Sequence, residues 1–178
     1  MTGGEGDEDD GGGGSDGDDE GDILDYFNRS PYRDLLDIEV TEAADGRAAG
    51  RLRFGEKHSS NRRRAIAQGG VAFSLADSVA GAAATALAGF PTPTIDFRID
   101  YLAPATDDLV ATAEVVREGG ETAVVDVEVV QPEGDADEYL NEPRNRADAD
   151  DRTVAVGRGV YKTSDLPDDA PWDLDQGK

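Results

Sequence analysis

The most regular hydrophobic pattern lies at residues 71–90, where the chain reads VAFSLADSVAGAAATALAGF. This segment is apolar on nearly every helical face and carries a single charge, Asp77. A helix that is hydrophobic all round must be buried on most sides. We therefore predict a buried helix from about Val71 to Ala88, entered through Gly69-Gly70 and ended at Gly89, because glycine favours the left-handed conformation of a helix C-cap.

Segments with alternating apolar residues predict β-strands on both sides of this helix. The clearest is Thr94–Leu102, in which Ile95, Phe97, Ile99 and Tyr101 fall on one face. The other predicted strands are Ile38–Thr41, Ala48–Phe54, Leu109–Arg117, Thr122–Val130 and Val154–Thr163.

The order of these elements indicates the architecture. Short helical turns are expected in Tyr26–Leu36, a turn at Asp45-Gly46 joins the first two strands, and a hairpin turn lies at Glu118-Gly119-Gly120. Two strands, one long helix and four strands then follow one another. The only surface large enough to cover the helix is an antiparallel sheet formed by all the strands. The prediction is an α+β fold in which about five to six strands wrap one central helix.

Three segments are too polar to contribute to a core. Residues 1–22 are almost entirely glycine, aspartate and glutamate, which bury too little apolar surface to offset the entropy of ordering. We predict a disordered acidic tail at 1–22, one folded domain at 23–165 with a polar loop at about 132–152, and a second acidic tail at 166–178.

The charge balance excludes some classes of partner. The chain has 40 acidic and 17 basic residues, for a formal net charge of -23. Most of the acids are expected to form a solvated surface suited to molar salt, where the Debye length falls to about 3 Å. Nucleic-acid binding needs a basic surface, so no nucleic-acid partner is expected. The alanine-rich helix between alternating strands favours a core helix over a membrane span.

The residue inventory limits the chemistry. Cysteine is absent, which excludes disulfides and zinc–thiolate sites, and His58 is the single histidine, which excludes sites with two imidazoles. We expect no metal and no other cofactor. The acidic start of the chain lacks the basic and apolar order of a secretory signal, and we predict a cytoplasmic protein.

Asp77 is the informative residue, because a carboxylate in an apolar helix is costly without a partner or a role. Three interpretations remain open from the pattern. Asp77 lies on a solvent-facing stripe, pairs with an arginine such as Arg98, or serves as a catalytic carboxylate at the edge of a pocket.

Several motifs together resemble the PaaI-type hot-dog thioesterases over about Leu35 to Thr163. They are Asn61, Gln68-Gly69-Gly70, Ser74-Leu75-Ala76-Asp77, Thr94, Tyr101-Leu102-Ala103-Pro104 and Gly157-Arg158-Gly159-Val160-Tyr161. The resemblance implies the hot-dog fold, in which the sheet wraps one helix. It also implies homodimers, often paired into tetramers, with each active site shared between two subunits.

The resemblance further implies roles for individual residues in hydrolysing acyl-CoA thioesters. The main-chain amide of Gly70 polarises the thioester carbonyl, and Asp77 matches the catalytic carboxylate. Asn61 matches an asparagine that positions water or substrate, and Thr94 matches a hydroxyl position. Gln68 stands where the family has a histidine, so this position can exchange hydrogen bonds but cannot transfer protons.

The arginine run Arg62-Arg63-Arg64 stands where the family has a glycine. Arginine suits phosphate groups, so these side chains either bind the phosphates of coenzyme A or pair with surface acids. His58 is expected to be a loop residue that could replace the family histidine only if the loop folds back. Ser74 and Ser78 are expected to pack or to form local hydrogen bonds, since no base is available to activate them.

The sequence thus favours an acyl-CoA thioesterase, with Phe73, Leu75 and Phe97 forming an apolar acyl pocket. A non-catalytic acyl-CoA-binding domain on the same fold is the alternative. A hydratase or dehydratase ranks last, because such sites rely on a helix-associated histidine, and a purely structural dimer stays open.

Overall fold

The computed structural model describes residues 23–61, 63–141 and 151–164. The helices are α1 (23–28), α2 (Pro31–Leu35), α3 (Gly69–Ala88) and α4 (Ala136–Asn141), and Glu56–His58 forms one 3-10 turn. The strands are β1 (Ile38–Ala44), β2 (Arg47–Leu52), β3 (Thr94–Tyr101), β4 (Leu109–Glu118), β5 (Thr122–Gln131) and β6 (Arg152–Lys162).

The six strands form one antiparallel sheet in the order β1-β2-β4-β5-β6-β3. The helix α3 lies across one face, and its buried side chains join those of the strands in a single core. This is the hot-dog arrangement, so the fold class expected from the sequence is confirmed. By length and composition α3 could also cross a membrane, but here most of it is covered by the sheet.

Small residues allow the sheet to curl closely around α3, which consists largely of alanine and glycine. The approach of β2 to the helix at Gly50 shows how little room is left. A Cβ atom there would lie 2.7 Å from the carbonyl oxygen of Glu39 and 2.8 Å from Val79 Cγ2. At the other end of α3, Gly89 ends the helix with a φ of 76°. The alanine- and glycine-rich composition is therefore a packing requirement of this fold.

The predicted polar loop at 132–152 is partly wrong. It contains α4, which places Ala136, Tyr139 and Leu140 on Val110 and Val130 of the outer sheet face. The helix gains this apolar contact only because two valines face outward, which no local pattern reveals. Within this segment residues 142–150 lie outside the described residues, as do the two predicted tails at 1–22 and 166–178.

Candidate active site

One stripe of α3 is left uncovered by the sheet. Gly70, Phe73, Ser74 and Asp77 follow helical spacing on this side, and all four are exposed or half-buried. The edge strand β3 runs beside the stripe, where the ring of Phe73 packs edge-on against Phe97 at 5.0 Å between centroids. Two of the interpretations of Asp77, a place on a solvent-facing stripe and a place at the edge of a pocket, therefore both hold, because the exposed stripe borders a cleft.

Asp77 is held through one carboxylate oxygen by two hydroxyl groups. Its Oδ1 accepts a hydrogen bond from Thr94 Oγ1 at 3.0 Å and another from Tyr161 Oη at 3.0 Å. Its Oδ2 has no hydrogen-bond partner among the described residues. Arg98, the partner considered from the sequence, binds Asp100 instead at 3.0 Å. The structure thus brings Thr94 to Asp77 and excludes Arg98.

No role was predicted from the sequence for Tyr161, which is completely buried beneath α3. Burial, followed by the charge of Asp77 and the hydrogen bond to it, raises the pKa of Tyr161 far above the ordinary value. The phenol therefore keeps its proton and acts as a donor to the carboxylate. Glycine makes this position available, since a Cβ atom on Gly159 would lie 2.5 Å from the Tyr161 ring and 2.9 Å from Phe97.

Arg33 of α2 is the second functional candidate that the sequence did not reveal. It shares with Asp77 a cavity of about 230 Å3 that opens between α1, α2 and α3. Burial lowers the pKa of Arg33, while the nearby Tyr26 and Asp77 act in the opposite direction. The apolar pocket expected around Phe73, Leu75 and Phe97 is not the space beside Asp77. Leu75 is fully buried in the core instead.

The Gly70 amide is occupied in this structure. Gln68 is the N-cap of α3, and its side-chain oxygen Oε1 accepts a short hydrogen bond from the Gly70 N–H. Tyr101 Oη donates to the carbonyl oxygen of Gly69 at 2.8 Å and fixes the same turn against β3. Any carbonyl group that is to use the Gly70 N–H must therefore displace the Gln68 carboxamide.

Asn61 lies on the loop that leads into α3, and its side chain supports a turn. The Oδ1 atom accepts from the Arg63 N–H at 2.9 Å. Among the described residues, the structure brings Asn61 into hydrogen-bond contact with neither Asp77 nor Thr94. Arg63 and Arg64 are exposed and have no ion-pair partner among the described residues. Arg62 lies outside them.

His58 does not take the place of the family histidine. The loop does fold back, because the Gln68 N–H donates to the His58 carbonyl at 2.9 Å. The imidazole, however, is buried, and its Nδ1 accepts from the Gly55 N–H at 2.9 Å. Because Nδ1 is an acceptor, the neutral ring carries its proton on Nε2, and burial lowers the pKa of His58 below its ordinary value.

The hydroxyl groups of Ser74 and Ser78 form hydrogen bonds within α3 and to α2. Ser74 Oγ donates to the Gly70 carbonyl at 2.8 Å and meets Tyr32 Oη at 2.8 Å. Ser78 Oγ accepts from Arg33 Nε at 3.2 Å. Among the described residues, neither hydroxyl has a histidine or a carboxylate as its hydrogen-bond partner, in agreement with the expectation that no base activates these serines.

The geometry can be compared with known proteins. A sequence profile described as the thioesterase superfamily matches residues 66–137. A Halobacterium salinarum protein that carries the provisional name of an esterase is 32% identical over 145 residues, which cover 79% of this chain and 89% of that protein. The chain belongs to the thioesterase superfamily. Membership gives it a hydrolase activity on thioester or ester bonds.

Solved structures of PaaI proteins share the fold. PaaI from the phenylacetic acid degradation operon of E. coli has a TM-score of 0.62 at 24% identity, covering 82% of this chain and 96% of that chain. A single-residue variant of PaaI from Thermus thermophilus has a TM-score of 0.59 at 23% identity, covering 76% and 100%. This member of the superfamily therefore has the PaaI-type hot-dog fold, as its motifs predict.

Proposed function

We propose that this member of the thioesterase superfamily hydrolyses acyl-CoA thioesters, with Asp77 as general base or nucleophile. The observation that carries the proposal is the environment of this carboxylate. It lies on the uncovered stripe of α3, with Oδ1 fixed by two hydroxyl donors and Oδ2 free of protein partners among the described residues. A carboxylate anchored through one oxygen presents the other to a substrate in a constant orientation.

The proposed active site lies between two copies of the chain. Asp77 and Gly70 stand seven residues apart on one helix, which separates them by about 10 Å. An oxyanion donor must lie about 3 Å from the carbonyl oxygen, and the base must reach the water beside the carbon of the same group, so this separation favours a site that takes its Gly70 amide and its Asp77 from different chains. The edge strand β3 offers a second copy the exposed side chains of Ile95 and Tyr101. We infer a homodimer or a dimer of dimers.

The reaction needs few groups. Water attacks the thioester carbonyl carbon while Asp77 Oδ2 accepts one of its protons. The negative charge on the carbonyl oxygen is stabilised by the Gly70 N–H of the partner copy at the positive end of α3, after the substrate has displaced the Gln68 side chain. The C–S bond breaks, the thiolate leaves and takes the proton from Asp77, and the free acid remains. As a nucleophile, Asp77 would instead form an anhydride that water opens.

The loop before α3 supplies the proposed contacts to the rest of coenzyme A. The guanidinium groups of Arg62, Arg63 and Arg64 are suited to its phosphates, and Asn61 would position water or substrate. The exposure of Arg63 and Arg64 without ion-pair partners among the described residues supports this assignment, as does the attachment of the loop to Gln68.

The test is an assay of short, medium and aryl acyl-CoA thioesters in molar potassium chloride. Asp77→Asn is expected to lower kcat/KM by about 100- to 10,000-fold, since it removes the base or nucleophile. Asp126→Asn, on the outer face of the sheet, is the matched control and should retain activity. Binding of acyl-CoA without hydrolysis by the natural chain would instead establish a non-catalytic binding domain. The observation in favour of this alternative is that the Gln68 side chain already occupies the Gly70 N–H.

Mixed dimers test whether the site is shared. Gly70→Pro removes the N–H at a helix position that tolerates proline, and both this variant and Asp77→Asn are expected to be inactive alone. Mixing them should restore part of the activity, because a heterodimer combines Asp77 of one copy with the Gly70 amide of the other. A mixture that stays inactive, although heterodimers form, would place both groups of one site in the same chain.

A further inference from the structure

The cavity beside Asp77 contains a cation as well as the carboxylate. Its walls include Phe27, Arg33, Asp77, Ser78, Gly81 and Thr85. The four residues from α3 follow one another along the helix toward its C-terminal end. A substrate whose carbonyl lies at Asp77 would therefore extend its acyl group into this space, past Ser78 and toward Arg33.

Arg33 is fixed in the cavity by neutral partners. Its guanidinium stacks over the Phe27 ring with 4.4 Å from Cζ to the ring centroid. Nε donates to Ser78 Oγ at 3.2 Å, and Nη1 donates to the Phe27 carbonyl oxygen at 2.7 Å. Among the described residues, Nη2 has no acceptor and no carboxylate lies within 4.0 Å of the guanidinium. A half-buried arginine without a carboxylate is unusual in a chain with 40 acidic residues.

The cavity that Arg33 lines is wider at Gly81, which has no side chain. At Gly81 a Cβ atom would come within 3.6 Å of the Tyr161 ring and 3.8 Å of Phe27. Both are ordinary contact distances, so glycine leaves room for a methyl group at this point of the cavity wall. At about 230 Å3 this space suits a short acyl chain.

We propose that Arg33 selects acyl groups that carry a carboxylate at the far end of a short chain, with the guanidinium pairing with this carboxylate while the thioester carbonyl lies beside Asp77. This inference rests on the proposed hydrolase function and names its substrate class. Arginine binds carboxylates through paired N–H donors, and its orientation is already set by Phe27 and Ser78. Asp77 does not need Arg33 as a partner, because Thr94 and Tyr161 hold it.

The test compares two thioesters of similar length, glutaryl-CoA and hexanoyl-CoA, in molar potassium chloride. The natural chain is expected to favour glutaryl-CoA in kcat/KM by about tenfold to a hundredfold, as for a hydrogen-bonded charge pair in a partly buried site. Arg33→Met should abolish this preference by lowering kcat/KM for glutaryl-CoA alone. Arg33→Lys, which keeps the charge, should retain part of it, and Arg158→Met on the outer face should change neither substrate.

Binding of thioether analogues keeps the inference separate from turnover. Two analogues of coenzyme A, one with an ω-carboxylate chain and one with a methyl end, are titrated against the natural chain. Tighter binding of the carboxylate analogue is expected whether or not any thioester is hydrolysed. A complete absence of hydrolysis would contradict the proposed hydrolase function and leave the role of Arg33 intact. Equal or weaker binding of the carboxylate analogue, or an equal loss for both thioesters in Arg33→Met, would overturn the role of Arg33 and leave the Asp77 chemistry intact.

Discussion

Charged side chains pair with one another on the outer face of the sheet, whereas on the face that packs against α3 they do not. On the outer face, charged residues cross four strands in register: Arg47, Glu114, Asp126 and Arg158. Arg47 Nη2 lies 2.7 Å from Glu114 Oε1, and Arg158 Nη2 lies 2.7 Å from Asp126 Oδ2. The hydrogen bond from Arg158 holds the pKa of Asp126 below its ordinary value. Each carboxylate in this row has a guanidinium as its partner.

On the α3 side, a carboxylate and a guanidinium share a cavity without pairing. Asp77 is bound by the hydroxyls of Thr94 and Tyr161, and Arg33 by a ring, a hydroxyl and a carbonyl oxygen. Exposed ion pairs such as those outside contribute only about 0–1 kcal/mol to stability. The number of charged residues therefore says little about where the functional site of this chain lies. Charged side chains held by neutral partners are more informative, because a ligand can supply the opposite charge that they lack.

Tyr161 and Arg158 lie on opposite faces of β6 and offer the strongest test of this difference. Tyr161→Phe removes a hydrogen bond to a charged group, worth about 1.5–3 kcal/mol, so kcat should fall by about 10- to 100-fold. KM should change little, because the phenol touches Asp77 and not the substrate. Steady-state kinetics on the best thioester, with thermal unfolding of each variant, provide the measurement.

Arg158→Gln is the control for that variant. It breaks an exposed pair whose arginine side chain is 62% accessible, so activity should be retained. The comparison of the two faces fails if both variants lose the same activity, or if Tyr161→Phe keeps its full kcat.

Much of the fold is predictable from local patterns, and α4 shows where they stop. The helix α3 and all six strands follow from apolar periodicity, and the Asp45-Gly46 turn appears with φ values of 49° and 74°. The helix α4 reads ADEYLN, a segment as polar as a loop. It forms against Val110 and Val130, whose outward direction depends on strand register.

The site is less predictable, because its partners come from distant parts of the chain. Asp77 stands out as the only charge in its helix, and the resemblance supplies Thr94. Tyr161 lies 84 residues away and reaches Asp77 only through the pairing of β6 with β5 and the absence of a Cβ atom at Gly159. Arg33 is one of many arginines until the fold places it over Phe27.

Gln68 extends the comparison to the N-terminal end of α3, where a neutral side chain covers the proposed oxyanion donor. Gln68→Ala removes the N-cap and should lower the free energy of unfolding by about 0.5–2 kcal/mol. It should leave kcat/KM unchanged or higher, because the substrate no longer has to displace a carboxamide. Urea unfolding and steady-state kinetics provide the two readouts.

The matched control for this variant is Gln131→Ala. Gln131 Oε1 accepts from the Thr106 N–H at 2.8 Å, and the residue lines neither the cavity beside Asp77 nor the pocket beside Gln68, so only stability should change. A tenfold fall of kcat/KM in Gln68→Ala alone would mean that this side chain contacts the substrate directly and that the Gly70 amide is not simply blocked.

His58 gives the smallest and most direct test of a buried titratable group, because its Nδ1 accepts a hydrogen bond from a neutral backbone N–H. Its folded pKa is lowered by burial, so the unfolded chain binds a proton first as the pH falls through about 6.5. The stabilising contribution is therefore complete above that value and decreases as the pH falls toward the folded pKa, by at most about 1.4 kcal/mol per pH unit. Since this is the single histidine, proton NMR can follow its titration directly. Between pH 7.5 and 5.5 the natural chain should lose more stability than His58→Gln, and equal slopes or an NMR titration midpoint at or above 6.5 would contradict the buried neutral ring.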